Sequence, residues 1–65
     1  MDRNKIGKRL IELRGEKTQA FIAEAINISQ STYAMYETGK RVPSDEVKVR
    51  IAKYYGCTVQ SIFFD

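Results

Sequence analysis

The chain has 65 residues, 43% hydrophobic and 29% charged, which suits one small globular domain and excludes a disordered segment. Its longest apolar run is too short to cross a bilayer, no signal-peptide pattern opens it, and a lone Cys57 rules out an internal disulfide; a cytoplasmic protein held by packing is expected. It has no histidine, no metal-ligand spacing and no glycine-rich phosphate loop, so no enzyme, cofactor, metal or small-molecule substrate is expected, while a net charge of +3 leaves an anionic partner open.

The spacing predicts a first helix over residues 4–14, with Ile6, Leu10 and Leu13 in one buried stripe and Ile11 outside it. Asp2 or Asn4 would cap its start and Gly15 would end it. After an unusually tight connection, Thr18 caps a second helix whose inner stripe is Ile22, Ala23 and Ile26. Asn27-Ile28-Ser29 then breaks the period, because Asn tolerates a left-handed backbone and Ser is a good N-cap. The third helix, about 30–37, turns Tyr33 and Tyr36 inward. Outside it are Gln30, Ser31, Thr32, Ala34 and Met35, all uncharged, and several can hydrogen-bond or touch a base edge. Two short helices on so tight a turn form a helix-turn-helix, with Ala23 as the small residue at their contact.

Gly39 closes the third helix, and Lys40-Arg41-Val42-Pro43 makes a loop. Ser44 caps a fourth helix, with Asp45 and Glu46 in its first turn and Val47, Ile51, Tyr54 and Tyr55 as its apolar stripe. Gly56 ends it, and Thr58 caps a last short helix with Val59, Ile62 and Phe63 inward. The expected architecture is all-α, one compact five-helix domain over residues 1–65 without strand, repeat or linker.

The distribution of charge adds to this. Residues 19–37 hold Glu24 and Glu37 but no Lys or Arg, and cations flank them on both sides. A nucleic-acid binder uses such an arrangement to grip phosphates at the edges and read bases between them. By itself, a mildly basic surface is more often only solvated.

Over nearly its whole length the chain resembles the Cro/phage-repressor helix-turn-helix family, also called xenobiotic-response-element-like. The resemblance rests on Ile6-Gly7-Lys8-Arg9-Leu10 with Leu13-Arg14, on Gln19 with Ile22-Ala23-Glu24, and on Ile28-Ser29-Gln30-Ser31-Thr32. It continues through Tyr36-Glu37-Thr38-Gly39-Lys40-Arg41-Val42-Pro43-Ser44 and Ile51-Ala52-Lys53 with Gly56. The chain departs from the pattern at Asn27, where Gly is usual, and in the shortness of the connection between its first two helices. It departs again at Met35, often basic, and Ala34, often Ser, so no base preference is carried over.

The resemblance implies a lambda-repressor-like fold. It also implies sequence-specific binding of double-stranded DNA by a small transcriptional regulator, expected to be a repressor of a phage, mobile element or toxin–antitoxin operon. The third helix would lie in the major groove, with Gln30 and Ser31 reading bases and Ala34 and Met35 against thymine methyls, which favours A·T pairs. Gln19, Thr32, Lys40 and Arg41 would meet phosphates, and so, less directly, would Lys17; Lys5, Lys8 and Arg9 are expected to form a solvated face. Arg14 and Glu37 would form a structural pair, and Cys57 a buried, inert thiol. One helix reads only a few base pairs, so a homodimer on a near-palindromic operator is expected, formed at least on DNA. Phe64 beside Tyr54 or Tyr55 would be its apolar contact. A second reading is a protein-interaction module or antitoxin whose DNA binding is secondary or lost. The uncharged motif and Glu24 favour that reading; Gln30, Ser31, Lys40 and Arg41 count against it.

Overall fold

The computed structural model describes residues 2–65. Its elements are α1 (Arg3–Arg14), α2 (Gln19–Ala25), α3 (Gln30–Thr38), α4 (Asp45–Tyr55) and a π-helical turn (Gln60–Phe64), with no strand among the described residues. Side-chain oxygens of Asp2, Thr18, Ser29 and Ser44 accept from the first-turn amides of α1 to α4, satisfying donors that a helix leaves unpaired. Asn27 takes a left-handed backbone, φ 61°, and that one residue lets the chain leave α2 and enter α3 within a few positions.

The core draws on every element. Tyr33, Phe63, Leu10, Ile22 and Ile51 are its largest fully buried side chains, with Ile6, Ala23, Ile26, Tyr36, Ala52 and Ile62 around them. Helix α1 lies against α3, and Gly7 sets how closely. A Cβ at Gly7 would lie 2.9 Å from the carbonyl carbon of Glu37 and 3.2 Å from the Tyr36 oxygen, with the Glu37 oxygen nearer still. Only hydrogen fits there.

Three expectations change. Leu13 is 36% exposed rather than part of the buried stripe, because it meets only a shallow hollow shared with Arg9, Cys57 and Ile62. Cys57 lies in that hollow, half-buried rather than enclosed. Arg9 is not simply solvated: its guanidinium donates to the Ile62 carbonyl at 2.9 Å and to that of Asp65, tying the C-terminal turn to α1. The last short helix takes π geometry, and the Thr58 hydroxyl accepts from the Ser61 amide at 3.0 Å as a capping residue does. Lys48 is buried at 6% exposure, its ammonium 3.6 Å from Asp45 and over the rings of Phe63 and Phe64 at 5.9 and 4.9 Å.

Candidate nucleic-acid interface

The first turn of α3 projects from the fold. Gln30 and Ser31 are exposed, and Thr32, Ala34 and Met35 are partly so, while Tyr33 and Tyr36 point into the core. The cap holds this turn in place. Ser29 Oγ donates to Thr32 Oγ1 at 2.8 Å, lies 3.3 Å from Ser31 Oγ, and accepts from the Thr32 amide at 3.2 Å. Between α2 and α3 an open concavity is lined by Ala20, Ala23, Glu24, Asn27, Ser29 and Gln30. Its small side chains keep the groove open beside Gln30.

The other end of α3 is anchored from below. Glu37 has a side chain only 3% exposed, and Arg14 clasps it with Nε 2.6 Å from Oε2 and Nη2 3.1 Å from Oε1. Gln19 Nε2 donates to Oε1 at 2.9 Å, and Arg14 Nη1 donates to the Lys17 carbonyl at 2.7 Å. One carboxylate thus joins the end of α1, the start of α2 and the end of α3. Burial alone would raise its pKa, but the hydrogen bonds from Arg14 and Gln19, with the Arg14 charge, outweigh that and hold Glu37 below the usual carboxylate range. The bond to Glu37 raises the Arg14 pKa in turn. Tyr33 and Tyr55 share a hydrogen bond of 2.9 Å, and burial pushes both phenols up.

Lys40 and Arg41 are exposed just past α3, where their amides donate back to the Met35 carbonyl at 3.0 and 3.3 Å. Neither has a carboxylate partner among the described residues. Lys17 is placed differently. Its ammonium lies over Phe21 and Tyr54, where α2 meets α4. The aromatic patch expected at the C-terminus is divided as well: Tyr54 stacks edge-on against Tyr55 at 5.1 Å, Tyr55 bonds Tyr33, and Phe64 instead meets Lys48. Arg50 is a residue the sequence did not single out. Its Nη1 donates to the Ile26 and Asn27 carbonyls at 3.2 and 3.4 Å, fixing the turn of the motif from α4. The i, i+4 spacing to Glu46 was its only sequence signal, and it says nothing of those carbonyls.

Two short helices on a left-handed turn, the second presenting an uncharged first turn and bounded by free cations, define a helix-turn-helix DNA-binding domain of the lambda-repressor-like fold. The helix-turn-helix family model matches residues 8–62, and the chain belongs to that family, in its Cro/C1-type form, whose members are DNA-binding regulators. Neither curated proteins nor solved structures give a match. Among the described residues, no helix is long and apolar enough to cross a membrane.

Proposed function

We propose that the protein is a sequence-specific regulator, acting as a repressor, that lays α3 in the major groove of double-stranded DNA. What carries the proposal is the exposed first turn of α3, fixed by the Ser29 cap at one end and by the buried Glu37 cluster at the other. Gln30 offers one donor and one acceptor to adenine N7 and N6, and Ser31 can pair with a neighbouring edge. Ala34 and Met35, one turn on, suit thymine methyls. The unpaired cations Lys40 and Arg41 grip phosphates, helped by Thr32 and the free amides of Gln30 and Ser31. Gln19 keeps one amide hydrogen for a phosphate while the other braces Glu37. Two copies read a near-palindrome, their α3 helices about 34 Å apart.

Selection of sites from random duplex DNA tests this, followed by two substitutions. Gln30→Ala should cost about 1–3 kcal/mol on the best site and relax preference at one base pair. Arg41→Ala should weaken all sequences alike and reduce the salt slope by about 1. An unchanged consensus for Gln30→Ala, or binding that ignores salt, overturns the reading.

A further inference from the structure

One flank of the fold carries charge and apolar surface away from the exposed first turn of α3. Where α2 meets α4, Phe21 is 53% exposed, more than any other large hydrophobic among the described residues. The Lys17 ammonium stands 5.2 Å from its ring centre and 6.0 Å from that of Tyr54. Beside them a shallow concavity is lined by Ala25, Ile26, Asn27, Arg50, Lys53 and Tyr54. Lys17 and Lys53 have no carboxylate partner among the described residues, while Arg50 holds Glu46 at 2.8 Å. An isolated exposed aromatic is ordinary. An exposed ring, a hollow and two cations without carboxylate partners in one place are not.

Helical spacing separates this flank from the reading surface. Phe21 and Ala25 are four residues apart and share one face of α2, whereas Ala20, Ala23 and Glu24 face the groove beside Gln30. A partner on Phe21 therefore approaches a different face of α2 from the one beside Gln30, and the two hollows share only Asn27. Phosphates would suit the cations but would gain nothing from a half-exposed Phe or from the apolar walls given by Ala25 and Ile26. Carboxylates on a chain that also carries apolar side chains use both.

We propose that this flank docks an acidic segment of a partner protein, which seats an apolar side chain beside Phe21 and Tyr54 and sets its carboxylates on Lys17 and Lys53. The site is separate from the first turn of α3, and the peptide titration itself needs no DNA. A short peptide alternating Glu with Phe and Leu is titrated into the labelled chain by NMR, with a Lys-for-Glu peptide as control. The acidic peptide should move the resonances of Phe21, Ala25, Lys53 and Tyr54, and the basic one should move none. Phe21→Ala and Lys53→Glu should each weaken the peptide at least about tenfold, as central contacts do. Both replace exposed side chains, and circular dichroism verifies their folding. No shift at millimolar peptide, shifts on α3 instead, or unchanged affinity in both variants overturns the proposal. So does a selected duplex that moves the same resonances and is weakened by both variants, for the flank would then belong to the DNA surface.

Discussion

Replacing Gly7 with Ala should unfold the protein at a lower temperature, although helix propensity argues the reverse. In an exposed helix interior the change would add about 1 kcal/mol of stability. Here the new methyl group would stand 2.9 Å from the Glu37 carbonyl carbon, where ordinary contact begins at 3.4 Å, and closer yet to the Glu37 oxygen. These are backbone atoms that cannot rotate aside, so α1 and α3 must separate by roughly 1 Å. Overpacking that shifts backbone costs about 1–3 kcal/mol, and a backbone-to-backbone clash belongs at the upper end of that range. The net loss is therefore about 2 kcal/mol, or about 8–16 °C in melting temperature for a domain this small. Thermal melting by circular dichroism measures it, with Lys8→Ala, an exposed neighbour on the same helix, as the control. Melting of Gly7→Ala at or above wild type would show that the two helices do not approach as described.

The Glu37 cluster makes a second test: Arg14→Ala or Glu37→Gln alone should cost about 3 kcal/mol or more, since each strands a partner, and a double-mutant cycle should give non-additive effects; additivity refutes the pair. Because Glu37 titrates below the ordinary carboxylate range when folded, its stabilisation is complete above that range and is lost as pH falls from there through the lower folded pKa, so the stability gap between wild type and Glu37→Gln should narrow in acid melts. Asn27→Ala should lose about 1 kcal/mol through its left-handed backbone while Asn27→Gly melts no lower than wild type; equal losses in both would mean the side chain, not the backbone, matters there. If two copies meet through Phe64, 51% exposed, then Phe64→Glu should prevent a second protomer from joining the selected duplex in sedimentation. Wild type binding as one protomer per site removes the two-fold reading.

Local chemistry was legible in the sequence, and distant packing was not. The caps at Thr18, Ser29 and Ser44, the left-handed Asn27 and the glycine stops at Gly39 and Gly56 depend on a few neighbouring residues, so their side chains and backbone freedom announce them. The outward set on α3 follows from helical period once Tyr33 and Tyr36 are assigned inward. Leu13 shows where period fails: it marks a face but cannot say whether anything stands opposite it. Gly7, Arg9, Lys48 and Arg50 act across the fold, on Glu37, Ile62, Phe63 and Ile26. Their partners depend on how helices cross, which composition and spacing do not encode. The contact of Phe64 with Lys48 was equally out of reach, since it depends on where the last turn packs against α4.

The bonds from Arg9 to the carbonyls of Ile62 and Asp65 bear on how the protein comes into being. A ribosome releases α1, α2 and α3 first, at about 5–20 residues per second. Until Ile62 and Phe63 emerge, Arg9 lacks its acceptors and the interior lacks one of its largest side chains. The Ser29 cap and the Glu37 cluster, all within residues 14–37, can therefore form on the nascent chain before its core closes, so the reading helix acquires its anchors ahead of the interior that buries Tyr33 and Phe63.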